Sequence, residues 1–179
     1  MEISLLPLDL ARWDQAPGAE LCLAPVWSDV RPLRGVAGLC DWRLNGHLSE
    51  RLREERFTGA RGERLLLPTR RLPWKAVLAL GLGSTRDFDD DRFREALDTA
   101  FSVSKGLQAA TVAAGLPGRD TGKVDPERAA ALFRLAASER DSVTTLTLVD
   151  TPAALKIIGE LLGVGSAARA RAARPATGV

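Results

Sequence analysis

The sequence predicts an α/β protein, a three-layer α/β/α sandwich built on a mixed sheet. In its second half, apolar runs of about six residues alternate with longer stretches of helical periodicity, the pattern of a sheet covered on both faces. Just before that half, residues 63–68 (ERLLLP) and 74–80 (WKAVLAL) are joined so closely that they pair as antiparallel neighbours, which makes the sheet mixed. A chain of 179 residues, 45% hydrophobic and 27% charged, has enough apolar material for one core of this kind.

Each element has a local reason. Residues 2–8 alternate around Ile3, Leu5 and Leu6 and are closed by Pro7 and Asp9, and residues 20–27 (ELCLAPVW) form a second apolar strand. From Val30 onward Val36, Ala37, Leu39, Cys40, Leu44, Leu48 and Leu52 recur at spacings of three and four until Gly59. This predicts a pair of helices, or one broken helix, interrupted at Asn45-Gly46. After residues 74–80 the chain turns through Gly81, Leu82, Gly83, Ser84 and Thr85. Phe93, Ala96, Leu97, Ala100, Phe101 and Ser104 then share one helical face that ends at Gly106.

Residues 107–115 (LQAATVAAG) read as a small-residue strand buried on both faces. Asp125-Pro126-Glu127 opens the next helix with a cap, a first-turn proline and an early carboxylate, and Ala129, Leu132, Phe133 and Ala136 form its buried stripe. Residues 142–149 (SVTTLTLV) are β-branched enough for a final strand. Thr151-Pro152 caps the last helix, with Leu155, Ile158, Leu161 and Leu162 as its stripe and Gly163 closing it. The expected organisation is one domain over residues 1–163 and an Ala/Arg-rich tail over 164–179, which has nothing to build a core with.

Composition narrows the function. A formal charge of +2 does not by itself imply a polyanion partner. Cys22 and Cys40 lack CxxC spacing, and the first residues, MEISLLPLDL, have no basic region before a long apolar run. A reduced, cytoplasmic protein with no signal peptide and no membrane segment is expected. With one histidine, His47, placed at a helix start, no zinc site is expected, and Asp87, Asp89, Asp90 and Asp91 read as helix-capping carboxylates rather than a Ca²⁺ or Mg²⁺ site. No cofactor and no metal are expected.

Short motifs in consistent order carry a resemblance. Asp41, the Gly46-His47-Leu48 neighbourhood, Phe57-Thr58-Gly59, Gly62-Glu63, Leu67-Pro68-Thr69 and Gly81-Leu82-Gly83 resemble the amino-terminal domain of the leucine aminopeptidase family. The resemblance implies a macro-domain-like fold and a part in building and shaping a hexamer around peptidase sites; in some bacterial members it also implies a contribution to DNA binding. The NTDAEGR-type motif of that family's metal-binding domain is absent from the sequence. So are the Gly-rich loops and the Asn-bearing strand that mark macro domains as ADP-ribose binders. The expectation is a catalytically silent, stand-alone domain working through a protein partner or self-association.

Two other readings stay open. Gly81, Gly83, Ser84 and Thr85 lie at the carboxyl end of a buried strand, where open α/β sheets bind ligands, and free N–H groups and two hydroxyls there suit a phosphate. Gly118 and Arg119, in the loop GLPGRDTG, would join them in one anion-binding crevice if the sheet order brings the two loops together. These six residues are the candidate ligand site for a nucleotide or ADP-ribose-like small molecule. A DNA-binding role would use Arg51, Arg53, Arg56, Arg61, Arg64, Arg70 and Arg71, with Arg169, Arg171 and Arg174 in the tail. Glu50, Glu54, Glu55 and Glu63 interleave with the first group, so a nucleic-acid partner is not favoured. Trp42 and Trp74 are expected in the core or at a subunit contact, and any of Trp13, Trp27, Trp42 and Trp74 that is exposed points first to an interface.

Overall fold

The computed structural model describes residues 1–137 and 143–164. Six strands form one sheet in the order β1-β6-β5-β2-β4-β3. These are β1 (Glu2–Pro7), β2 (Ala19–Trp27), β3 (Arg64–Pro68), β4 (Trp74–Gly83), β5 (Thr111–Ala114) and β6 (Thr145–Asp150). All neighbours run parallel except β3, which pairs antiparallel with β4, Leu66 lying opposite Leu78. The mixed sheet follows from its connections: β3 and β4 are joined by a short loop, whereas the parallel pairs need helical crossovers.

The central strand β2 is buried from Leu21 through Trp27, as a strand covered on both faces requires. Its alternate side chains divide between two cores. Leu21 and Leu23, with Leu78, Leu80 and Leu82 of β4, pack under α4 (Asp90–Gly106), α5 (Pro126–Ala137) and α6 (Pro152–Leu162). Cys22, Ala24 and Val26, with Val77 and Ala79, pack under α1 (Leu10–Trp13), α2 (Gly35–Arg43) and α3 (His47–Arg53). This is a three-layer α/β/α sandwich.

Caps set the helix boundaries. Asp89 accepts from the Arg92 N–H (2.9 Å) at the start of α4, Asp125 from that of Arg128 (2.7 Å) at α5, and Thr151 from that of Ala154 (3.4 Å) at α6. The break between α2 and α3 falls at Asn45 (φ 57°) and Gly46 (φ 79°), a left-handed pair that suits these residue types.

Several details differ from the sequence expectation. The four-residue helix α1 was not foreseen; Asp9 caps it by accepting from Ala11 (2.7 Å), and it buries Trp13 against Trp74. Strand β5 is only Thr111–Ala114, because α4 runs to Gly106 and leaves Leu107 half exposed as its cap. Leu161 is 43% exposed; α6 buries Ala154, Leu155, Ile158 and Gly159 instead, Gly159 lying where a Cβ would meet Leu5 at 2.7 Å. Gly81 and Gly83 belong to β4 rather than to a turn after it. Of the expected tail over 164–179, everything past Val164 lies outside the described residues, as does Ser142 at the start of the last expected strand.

Candidate functional site

The motif residues gather in two groups, one where Thr58 to Glu63 meets Gly81 and Gly83 and one where Asp41 meets Leu48 and Ser49, and their chemistry there is architectural. Gly81 pairs with Val26 of β2 and Gly83 with Trp27, across an irregularity in register. The segment Thr58 to Glu63 crosses the ends of these strands as a strap of backbone on backbone. Gly83 donates to the Gly59 carbonyl (2.9 Å), Gly62 to that of Gly81 (3.0 Å), and Gly81 to that of Glu63 (2.8 Å). A Cβ on Gly81 would lie 2.0 Å from the Ala60 carbonyl oxygen, and one on Gly59 2.7 Å from that of Trp27, so only glycine permits the approach.

The carboxylate of Glu63 closes the strap by accepting from the Thr58 N–H and hydroxyl (both 2.8 Å) and the Ala60 N–H (3.1 Å). Partial burial pushes its carboxyl up, and these hydrogen bonds outweigh it and hold the group below its ordinary value. Asp41 plays the matching part for α3. It is buried, and it accepts from the N–H groups of Leu48 (2.8 Å) and Ser49 (3.1 Å) and from the Ser49 hydroxyl (2.5 Å), capping a helix whose own cap position, Gly46, has no side chain. His47 is the exposed first residue of α3.

Beyond the strap, the sheet order places β2 between β4 and β5, so the loops after β4 and β5 reach one crevice from either side. An open basin of about 570 Å³ lies between them, with Thr85 and Arg86 on one wall, Thr121 and Lys123 on the other, and Asp29, Arg31 and Arg34 across the middle. Asp29 occupies the polar groups of the β4 loop: it accepts from the Thr85 N–H (3.0 Å) and from the hydroxyls of Ser84 and Thr85 (both 2.9 Å). Slight burial opposes ionisation of Asp29, but these donors win and keep its carboxyl below the ordinary value. Arg31 donates to the Trp27 and Val30 carbonyls (2.7 Å each).

Deeper in, a cavity of about 120 Å³ sits over the carboxyl ends of β1, β2, β5 and β6, against the first turn of α2. Arg119 lines it and is nearly buried, donating from Nε to Asp150 (2.8 Å) and from one terminal nitrogen to the Val124 carbonyl (2.6 Å). Gly118 holds φ 79° with Val124 2.7 Å from where its Cβ would be, so the loop is folded onto Val124 rather than open to a ligand at that residue. Asp120 accepts from the Trp27 indole N–H (3.0 Å). Burial pushes its carboxyl above the ordinary value, against the opposing effect of that bond and of Arg34.

Of the six sequence-predicted site residues, Thr85 borders the basin and Arg119 the cavity. Gly81 lies against the Ala60 carbonyl and Gly118 against the Val124 side chain, Gly83 donates to the Gly59 carbonyl, and Ser84 is bonded to Asp29. The crevice also draws on Asp29, Arg34, Asp120 and Asp150, none of which that set contains. Their legible signal is position: Asp150 ends a buried strand, Asp29 and Arg34 follow another, and Asp120 lies in the loop already quoted. The acidic run is accounted for by Asp89 as cap, by Arg92 beside Asp87, by Arg94 beside Asp91, and by the Arg128 guanidinium gripping Asp90 through Nε (2.7 Å) and a terminal nitrogen (2.6 Å). Among the described residues no group of three or more His, Cys, Asp or Glu side chains is placed to hold a metal, and no helix is long and apolar enough to cross a membrane.

This strand order and crevice place the molecule in the macro-domain-like class. A Trypanosoma brucei macrodomain in complex with ADP-ribose superposes with a TM-score of 0.70 over 90% of this chain and 69% of its own, at 16% identity. A tomato leucine aminopeptidase mutant superposes with a TM-score of 0.61 over 90% of this chain and 35% of its own, at 17% identity. Within that class, residues 26–146 match the N-terminal domain of the cytosol aminopeptidase family, and the chain belongs to that family. The probable cytosol aminopeptidase of Thermosynechococcus vestitus is 31% identical over 147 residues, 78% of this chain and 29% of the relative; that of Cupriavidus metallidurans is 33% identical over 116 residues, 62% and 22%. The chain thus spans less than a third of the length of these relatives.

Proposed function

We infer that this chain is a non-catalytic accessory domain of the aminopeptidase type, working in the cytoplasm through protein contacts, with Trp42 as an anchor. The observation that carries the reading is exposure. Trp13, Trp27 and Trp74 are 1–2% exposed, whereas Trp42 on α2 is 69% exposed. It stands between two surface hollows, one bordered by Pro32 and Leu33, the other by Arg43 and Arg71. Arg43 lies 5.9 Å from the indole ring and is itself held by Asp14 (2.6 Å), so the aromatic platform is braced before any partner arrives. A large exposed aromatic beside arginine is the composition that dominates protein interfaces. The partner is a second copy of the chain or a full-length member of the family. Turnover of leucyl substrates with added Mn²⁺ or Zn²⁺ tests the non-catalytic half of the reading: none above buffer is expected, and activity that survives rigorous purification overturns it.

A second reading has its own observation. Arg31, Arg34, Arg86 and Lys123 border the open basin against Asp29 as the one carboxylate of its lining, which favours the phosphates of a nucleotide or ADP-ribose-like ligand. Ser84 and Thr85 would serve it only if Asp29 released them, and the Gly81 and Gly83 N–H groups are already given to the strap carbonyls of Glu63 and Gly59. Titration with ADP-ribose tests it: saturable heat lost on Arg86→Glu supports the reading, and flat titrations remove it. Contact with nucleic acid is less supported, since Arg51 and Arg56 are engaged by Glu54, and Arg61 by Glu95.

A further inference from the structure

The inner cavity has a lining of which the two readings use only Arg34, which also borders the basin. Leu8, Pro25, Val36, Leu116 and Val149 make its apolar part, while Arg34, Arg119, Asp120 and Asp150 bring two guanidinium groups and two carboxylates to the same small space. The lining is charge-balanced, unlike the basin outside it. A phosphate placed there would gain two cations but lie against two carboxylates, so the cavity disfavours a multiply charged anion. A neutral apolar ligand would leave the charged groups without a complement.

Part of the polar capacity is committed and part is free. Nε and one terminal nitrogen of Arg119 are used, and Asp150 also accepts the Thr151 N–H (2.7 Å). Among the described residues the other terminal nitrogen of Arg119 and the whole guanidinium of Arg34 have no hydrogen-bonded partner, and each carboxylate keeps lone pairs beyond those it uses. A ligand matching what is left carries one carboxylate for Arg34 and Arg119, one ammonium for Asp120 or Asp150, and a short apolar group for the Val36 and Leu116 side. Size agrees: with one water needing roughly 10–15 Å³ of such volume, about 120 Å³ holds on the order of eight to twelve small heavy atoms, whereas a nucleotide has far more. We propose that the inner cavity binds a free zwitterionic α-amino acid with a short aliphatic side chain. The proposal is independent of the Trp42 contact and shares with the basin outside only Arg34.

Calorimetry on the full chain tests it, with L-valine and L-leucine as probes and leucine amide, 4-methylpentanoate, inorganic phosphate and ADP-ribose as controls. Saturable one-to-one binding of valine or leucine is expected, weakened at least about tenfold when either the carboxylate or the ammonium is removed. Arg34→Gln, at an exposed position that leaves the core untouched, should weaken leucine at least about tenfold and leave leucine amide unchanged, with the melting temperature of the variant confirming its fold. No saturation by either amino acid up to about 10 mM, leucine amide binding as well as leucine, or indifference to Arg34→Gln would each overturn the proposal. ADP-ribose binding alone would also overturn it while leaving the nucleotide reading in place.

Discussion

Asp41→Ala is expected to destabilise the fold far more than a loop-side carboxylate normally would. The carboxylate of Asp41 serves three donors at the start of α3, two of them backbone N–H groups with no partner inside the helix. Losing a helix cap costs about 1 kcal/mol, and leaving the buried Leu48 N–H unsatisfied adds about 1–3 kcal/mol, so the alanine variant should lose about 2–4 kcal/mol. Asp41→Asn keeps an oxygen for the two N–H groups, and the Ser49 hydroxyl can reverse. It sacrifices mainly the negative charge at a helix N-terminus, about 0.3–1 kcal/mol. Urea unfolding at pH 7 measures both variants against the parent at unchanged slope. If alanine costs less than about 1 kcal/mol, or asparagine costs as much as alanine, Asp41 does not act as the remote cap of α3.

Other perturbations separate packing from conformation. Gly81→Ala, which would bring a Cβ to 2.0 Å from the Ala60 carbonyl, should cost more than about 3 kcal/mol. Gly46→Ala, with φ 79° but nothing within 4 Å, should cost about 1–2 kcal/mol; equal values by denaturant unfolding would refute the strap. Glu63 has a depressed carboxyl, so its stabilisation is present above its unfolded value of 4.5 and is lost as the pH falls through its folded value. Glu63→Gln should therefore lose stability at pH 7 and converge with the parent in acid. Asp120 is raised and carries the opposite sign: its ionised form burdens the fold at neutral pH, and that burden disappears as the pH falls toward 3.8. Asp120→Asn should gain stability at pH 7 and lose that gain in acid; a gain that grows on acidification would contradict the buried position of the carboxylate.

The strand and helix pattern was largely legible because it rests on periodicity, which residues 20–27, 74–80 and the α4 face express locally. Features set by other parts of the chain were not. The extension of β4 through Gly81 and Gly83 depends on the strap packing over them, and a Gly-Leu-Gly read alone looks like a turn. Helix α1 is too short to show a period, and Leu161 looks buried by spacing alone until Gly159 is seen against Leu5. In the crevice, Thr85 and Arg119 were found by their place after buried strands. Arg34, Asp120 and Asp150 join them only once the order β6-β5-β2-β4 is known, because no sequence spacing relates these residues. Trp42 has the same character: its neighbours on α2 suggest a core aromatic, and its exposure emerges only from the packed layer.

Association is where the proposed role is most open to measurement. Sedimentation of the chain, alone and mixed with a full-length cytosol aminopeptidase from the same source, should show a species heavier than the 19.2 kDa monomer or a mixed complex. Trp42→Ala should weaken that association by about 2 kcal/mol or more, roughly 30-fold, while changing the unfolding free energy by less than about 0.5 kcal/mol. A chain that stays monomeric and unbound in both experiments at about 100 μM, or an association indifferent to Trp42→Ala, would contradict a contact role centred on this face.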